Sequence, residues 1–304
     1  MAARRIKKSK KLTPNWPGNL DMNAALISSA EKLIELALRE DLGERGDITT
    51  LALGEVKTTA RAQIIAKQEG VLCGVGIIAL VFEQLGVSVH ITKRYNDGDP
   101  LCAGDSIAEI AGSASGILIA ERTILNFIGR LSGIASLTRN FVDAVKNTKT
   151  KILDTRKTTP GWRLWEKYAV RCGGGVNHRT GLYDMFLLKE NHIAKAGGIA
   201  SAVRACRRYA QEQNINTLIE VETQTIDQVR EALSLAVDRI MLDNMTLEQM
   251  NKCVEFVAGR VPLEASGNAN LKRVRSMAET GVDYISVGAL THSAPIFDFS
   301  LLLV

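Results

Sequence analysis

From residue 150 onward the chain repeats one unit: a short apolar run, a polar residue closing it, then a helical stretch. The apolar runs are KILDT (151–155), MFLLKE (185–190), TLIEVET (217–223), RIMLDN (239–244), PLEASG (262–267) and YISVGA (284–289). Helical patterns lie between them over 196–214, 225–236, 246–258 and 270–280. Such alternation predicts parallel strands, because a parallel neighbour is reached only through a crossover connection. Glu220, Asp243, Ser266 and Gly288 close successive runs at intervals of 23, 23 and 22 residues. In a (β/α) barrel the carboxyl ends of the strands converge on one face, where such folds keep their chemistry. Six runs fall short of eight, so the expectation is an incomplete barrel. An open doubly wound sheet is the alternative, but it does not gather six strand ends around one site.

The first half has a different rhythm. SSAEKLIELALREDLGERGD (28–47) reads as a Ser-capped helix that stops at Gly43. ARAQIIAKQEG (60–70) and VSVHITKRY (87–95) read as strands around a Gly-interrupted helix over 74–85. NDGDPLCAGDSIAEIAG (96–112) carries the Asp-Gly and Gly-Asp punctuation of antiparallel hairpins. One or two long helices are expected over 121–147, and PIFDFSLLLV (295–304) has room only for a strand that returns to the first region. The expected fold is therefore α/β: an N-terminal α/β sandwich domain of antiparallel strands over 21–130, joined by 291–304, and an incomplete (β/α) barrel over 131–290. A basic tail over 1–20 is set off by Pro14 and Pro17.

The net charge of +5 invites a nucleic-acid reading, but Arg4, Arg5, Lys7, Lys8, Lys10 and Lys11 account for all of it and leave the body at −1. The tail is expected to be a disordered solubilising arm, neither a secretory signal nor a transit peptide, so no nucleic-acid partner is expected. The longest apolar run, VLCGVGIIALVF (71–82), is too short to span a bilayer, so no membrane partner is expected. Five scattered cysteines without a C-x-x-C pair fit a reducing cytoplasm with buried thiols. Cys172 has no orienting pair that would make it a nucleophile, and His90 is expected to be an ordinary strand residue.

The converging face is electrostatically divided. Arg156, Lys157, His178, Arg179 and Lys189 lie on one side; Glu220, Glu222 and Asp243 lie on the other. Arginine suits bidentate recognition of carboxylate or phosphate, and lysine acts on phosphate as a point charge. Carboxylates at strand ends can hold ribose hydroxyls or, through water, Mg²⁺. CGGGVNHRTG (172–181) lacks the G-K-[ST] of a nucleotide-binding P-loop and is expected to carry His178 and Arg179 to a ligand. SGN (266–268) and VGA (287–289) lie where barrels place phosphate on backbone N–H groups. The pattern suits a sugar phosphate bound beside a second anion.

LDTRKTTPGWRLWEKYAVRCGGGVNHRTGLYDMFLLKENHI (153–193) resembles the signature block of the quinolinate phosphoribosyltransferases, the carboxylating nicotinate-nucleotide pyrophosphorylases. AERTILNFIGRLSGIAS, IEVET, IMLDNM, LEASGN and SVGALTHS extend the likeness from about residue 25 to the end. Trp162 and Trp165, where Leu-like residues would be typical, and the basic tail are the departures; neither removes a charged residue. The resemblance implies an α/β sandwich with an incomplete barrel, and Mg²⁺-dependent transfer of phosphoribosyl from phosphoribosyl pyrophosphate to quinolinate with loss of CO₂. It implies that Thr155, Arg156, His178, Arg179 and Lys189 hold quinolinate, joined by Arg122 of a neighbouring subunit. By the same carry-over, Lys157 and Lys189 contact phosphoribosyl pyrophosphate, Glu220 and Asp243 bind its ribose and the Mg²⁺ region, and Ser266, Gly267 and Gly288 hold its 5′-phosphate. Lys157, Lys189, Glu220 and Asp243 are then the catalytic residues. A shared site implies a homodimer or a higher homo-oligomer.

Three other readings remain open on the residues. A relative with the same fold could ribosylate nicotinate or another anionic heterocycle, although two arginines with His178 favour a dicarboxylate. Lys189 at a strand end could form a Schiff base as in an aldolase. The basic tail could bind nucleic acid, against which the body's charge argues.

Overall fold

The computed structural model describes residues 24–53 and 59–304, so the expected tail over 1–20 lies outside the described residues. The chain begins with α1 (Ala24–Leu42), α2 (Ile48–Ala52), β1 (Thr59–Ala66), β2 (Gly70–Val71), α3 (Ile77–Gln84), β3 (Val89–Lys93), β4 (Pro100–Leu101) and β5 (Ser106–Ser113). α1 buries Leu26, Ala30, Ile34 and Leu38, a stripe at four-residue spacing that supplies its packing face. β1 pairs antiparallel with β5, and β5 with β3. β2 and β4 form a separate two-stranded ribbon.

α4 (Ala114–Ala144) follows as a single helix of 31 residues, capped by Ser113 Oγ, which accepts from the Gly116 N–H at 3.3 Å. It starts seven residues before the expected 121 and runs across the expected boundary at 131 without a break. Its buried positions, from Ile117 and Ala120 through Ile128, Leu131 and Ala135, belong to the same continuous core as both halves of the protein.

The second half contains β6 (Lys151–Leu153), α5 (Arg163–Cys172), β7 (Phe186–Leu188), α6 (Glu190–Ala196), α7 (Ile199–Glu212), β8 (Ile219–Thr223), α8 (Ile226–Ser234), β9 (Arg239–Asp243), α9 (Leu247–Val257), β10 (Leu263–Ser266), α10 (Val274–Glu279), β11 (Tyr284–Ser286) and α11 (Ala289–His292). Its six parallel strands run in the order β6-β11-β10-β9-β8-β7, and β6 and β7 do not pair with each other, which leaves the barrel open. The helix expected over 196–214 is α7, which starts at Ile199 because Gly197 and Gly198 separate it from α6, a short helix with no counterpart in the sequence reading. α5 has no counterpart in the sequence reading, because the cations of RLWEKYAVRC obscure an apolar face of Trp165, Tyr168, Ala169 and Cys172 that the fold buries. The last strand, β12 (Phe299–Leu303), lies antiparallel beside β1 from Ala62↔Leu303 to Ala66↔Phe299 and completes the sheet β12-β1-β5-β3.

The segment leading to β12 lies against α4, with the Phe297 N–H donating to the Gly129 carbonyl at 3.0 Å. A Cβ at Gly133 would overlap the Pro295 carbonyl oxygen. Gly133→Ala is expected to cost about 2 kcal/mol through this forced separation and to lower the thermal midpoint by roughly 5 °C. An unchanged midpoint in calorimetry would show that the segment lifts away without cost.

Candidate active site

The cationic half is built on a buried polar knot. Asp154, fully buried just beyond β6, accepts from Lys167 Nζ of α5, from Asn177 Nδ2, and from the His178 backbone N–H at 2.9 Å. Lys167 Nζ also donates to the His178 carbonyl at 3.0 Å, and Asn177 Nδ2 to the Lys167 carbonyl at 2.8 Å. Burial pushes the Asp154 carboxyl up and the Lys167 ammonium down, and their mutual attraction opposes both shifts. Every strong donor and acceptor in the knot is engaged, so the loop that carries His178 and Arg179 is held to the loop that carries Arg156.

A second buried pair supports the turn after Lys157. Glu166 of α5 takes Arg130 of α4 at 2.6 Å, the Thr159 hydroxyl at 2.8 Å and the Thr159 N–H at 3.1 Å. Arg130 also donates to the Thr291 carbonyl, while the Thr291 hydroxyl donates to the Lys157 carbonyl at 2.8 Å. On this base Thr155 Oγ1 accepts from the Lys157 N–H at 3.0 Å, so that hydroxyl shapes the turn. Lys157 remains exposed, and Arg156 is half-buried with its Nε lacking a hydrogen-bond partner among the described residues. Arg179 is half-buried and donates through NH1 to the Met185 carbonyl at 3.1 Å. Burial and the neighbouring Arg156 charge lower its pKa, while Asp184 and Glu220 oppose them. Arg156 and Arg179 are thus brought together, as the residue pattern led one to expect.

The acidic half departs from the expected assignment at one position. Glu220, expected to reach ribose hydroxyls and the Mg²⁺ region, is fully buried inside the barrel. It is the second residue of β8, too far from the strand's carboxyl end to reach the face. Glu222, two residues further along the same side, lies at the mouth, half-buried, 3.7 Å from Lys189 Nζ. Burial raises its pKa, Lys189 lowers it, and the charge of Asp243 raises it again, so Glu222, Asp243 and Lys189 form one electrostatic group. Asp243 and Ser266 end β9 and β10 as direct register partners.

Beneath the face, Glu220 meets His178, Glu264 and Arg239. His178 Nε2 is 3.2 Å from Glu220 and 3.4 Å from Glu264, and Arg239 NH1 is 3.1 Å from Glu264 and 3.8 Å from Glu220. The Arg239 guanidinium also stacks on Tyr284 at 4.5 Å. The His178 Nδ1 accepts the Arg179 N–H at 2.7 Å, so in the neutral ring Nε2 bears the proton and has no lone pair for a metal. The His178 ring is thus turned inward, with Nδ1 accepting from the chain's own Arg179 N–H and Nε2 beside the Glu220 and Glu264 carboxylates, whereas the sequence reading expected it to reach a ligand carboxylate. Burial and the Glu264 charge push Glu220 up, whereas His178 and Arg239 hold Glu264 low against its own burial.

Burial lowers the His178 pKa, but the Glu264 and Glu220 carboxylates outweigh it and push the value up to about 9. A second proton, on Nδ1, would face the Arg179 N–H and oppose this. Two carboxylates beside Nε2 outweigh one backbone dipole, so the direction is upward. A raised folded value contributes stability that is complete below the ordinary value of 6.5 and is lost as pH rises towards 9. The midpoint advantage of the wild-type protein over His178→Gln is expected to shrink by roughly 5 °C across that window. A constant gap would mean that the ring stays neutral throughout.

The remaining corner is rich in backbone. A Cβ at Gly288 would lie 2.9 Å from Lys157 Cδ and 3.2 Å from His292 Nε2, which places Lys157, Gly288 and His292 side by side. Nothing in the local pattern singles out His292, though it follows Gly288 by one helical turn. Arg122 is exposed on α4 and forms no ion pair or side-chain hydrogen bond among the described residues.

Family-level comparison matches residues 47–132 to "Quinolinate phosphoribosyl transferase, N-terminal domain" and residues 134–302 to the corresponding C-terminal domain. A Nicotiana tabacum protein described as mitochondrial quinolinate phosphoribosyltransferase [decarboxylating] 2b is 41% identical over 286 residues, covering 89% of this chain and 81% of its own. A probable nicotinate-nucleotide pyrophosphorylase [carboxylating] of Bacillus subtilis is 43% identical, covering 89% of this chain and 92% of its own. The solved nicotinate-nucleotide pyrophosphorylase of Francisella tularensis superposes with a TM-score of 0.86 at 42% identity, over 91% of this chain and 97% of that one.

Proposed function

This chain belongs to the quinolinate phosphoribosyltransferase family, and from that premise we propose how its residues divide the work. It is a phosphoribosyltransferase of de novo NAD biosynthesis: quinolinate and phosphoribosyl pyrophosphate give nicotinate mononucleotide, pyrophosphate and CO₂. The observation that carries the site assignment is the divided strand-end face, with Arg156, Lys157 and Arg179 on one side and Glu222 with Asp243 on the other. Quinolinate carries two carboxylates on adjacent ring carbons, and its partner carries a pyrophosphate and a phosphate. Without concentrated cations the two anions repel.

Arg156 and Arg179 hold the quinolinate carboxylates and aim the pyridine nitrogen at the anomeric carbon; Thr155 shapes their loop, and His178 supports Arg179 from below. Orientation of this kind is worth several kcal/mol. Lys157 and Lys189 stabilise the charge that grows on pyrophosphate as it leaves. Glu222 and Asp243 take the ribose hydroxyls beside an anomeric carbon with oxocarbenium character. Ser266, Gly267 and Gly288 hold the 5′-phosphate. Once the ring nitrogen is alkylated, it accepts the electrons released when the adjacent carboxylate departs as CO₂, and the ring carbon then takes a proton from solvent.

Glu222 and Asp243 fit Mg²⁺: their two half-buried carboxylates offer the hard oxygen ligands that such an ion prefers, and these two residues would hold it. When bound, the ion supplies neutralisation of the leaving group's charge. Arg122, exposed and unengaged among the described residues, completes the quinolinate site of a second copy, which makes a homodimer the smallest working unit. A cytoplasmic setting is part of this proposal, since five free thiols suit a reducing compartment; separately, no described helix is long and apolar enough to cross a membrane.

The test is a product assay by mass spectrometry, with phosphoribosyl pyrophosphate and either quinolinate or nicotinate, with and without Mg²⁺. Nicotinate mononucleotide is expected only from quinolinate, with matching CO₂ and only when Mg²⁺ is present. Product from nicotinate instead would overturn the acceptor, and product after chelation would overturn the ion.

A further inference from the structure

Asn244, the residue after β9, has a backbone φ of +54°, in the left-handed region that L-residues enter only at a cost. Its side chain shows what the cost sustains. Nδ2 donates to Asp243 Oδ2 at 2.9 Å. A carboxylate is acceptor-only, so the amide NH₂ must face Asp243 and the amide oxygen must face the other way. That oxygen lies over Gly267, in the space a Cβ there would occupy, and receives Asn268 Nδ2 at 3.4 Å. The Asn244 backbone N–H donates to the Ser266 carbonyl at 2.9 Å. Gly267 is itself at φ +95°, so this position excludes a side chain on two independent grounds. One residue thereby joins the end of β9 to the turn after β10, beyond the register pair Asp243↔Ser266.

We propose that Asn244 is a positioning residue that sets Asp243 and the Ser266–Gly267 turn at a fixed separation, so that the ribose and the 5′-phosphate of one phosphoribosyl pyrophosphate molecule are engaged together. The proposal rests on the reading that Asp243 takes the ribose and Ser266 with Gly267 the phosphate. Asn244 touches neither group; it acts through the residues that do. Without its amide, Asp243 gains a free torsion and the Gly267 turn loses the group packed on it. Pre-organisation for the two-ended ligand is then lost, while the quinolinate half, built on Asp154, Lys167 and Asn177, is untouched.

The test uses the full chain and three variants. Asn244→Gly removes the amide while relieving the backbone cost, so its loss is not confused with misfolding. It is expected to raise the KM and the calorimetric Kd for phosphoribosyl pyrophosphate about tenfold, as for one lost charge-assisted hydrogen bond, and to leave the KM for quinolinate within about twofold. Asn244→Asp places a second carboxylate beside Asp243 and is expected to be worse than Asn244→Gly. Wild-type affinity in Asn244→Gly, or equal losses for both substrates, would overturn the proposal. Asp243→Ala is measured in parallel: if it leaves phosphoribosyl pyrophosphate binding intact, the underlying assignment of the ribose fails. If Asp243→Ala weakens binding and Asn244→Gly does not, only the positioning role fails.

Discussion

Replacing Arg179 with Ala is expected to lower kcat/KM for quinolinate by roughly two orders of magnitude, with the KM for phosphoribosyl pyrophosphate little changed. Arg179 has one amine tied to the Met185 carbonyl and is crowded by Arg156, so its fork is already oriented and its charge is incompletely offset. Both features favour a dianion, which relieves the repulsion between the two guanidiniums as it binds. Losing one side of a desolvated charged pair costs about 3 kcal/mol, or roughly two powers of ten. Arg179→Lys is expected to recover only a minor part, because a point charge cannot reproduce a planar, two-point contact. Near-normal efficiency in Arg179→Ala would remove this residue from the quinolinate site.

Lys167→Met is expected to be the most destabilising replacement near the site. It leaves the Asp154 carboxylate fully buried with no counter-cation and the His178 carbonyl without its donor. Breaking such a pair from one side costs about 3–5 kcal/mol, enough to lower the thermal midpoint of a chain this size by roughly 10 °C. The KM for quinolinate should rise as well, because Asp154 also holds the His178 N–H that fixes the approach to Arg179. The double variant Asp154→Asn/Lys167→Met separates the two effects: removing the uncompensated charge restores part of the stability, but the loosened loop keeps its weaker binding. A stable single variant with unchanged KM would show that the knot does not hold the loop.

Much of this protein is legible in its sequence. The alternation of apolar runs with helical stretches follows from the need to bury both faces of a parallel sheet. The regular spacing of Glu220, Asp243, Ser266 and Gly288 discloses the βα repeat, and the block from Asp154 to Lys189 discloses the cations. These are local properties: periodicity and residue type are set within a few residues along the chain.

Depth is not a local property. Glu220 and Glu222 share one side of one strand, and nothing in IEVET says which reaches the mouth; the stagger of β8 against β9 decides, placing Glu220 opposite Arg239 and Glu222 opposite Met241. The carboxylates that flank His178 come from β8 and β10, and the Arg239 that shares them comes from β9, so their meeting exists only once the barrel has closed around them. The same holds for Lys167, which in sequence is one cation among many and in the fold is the counter-charge of Asp154. The sequence by itself determined the repeat, the chemistry of its ends and the family. Which charges are paired inside and which are left facing a ligand was decided by the tertiary structure, because the free energy of a charge depends on the burial and the partners that only packing assigns.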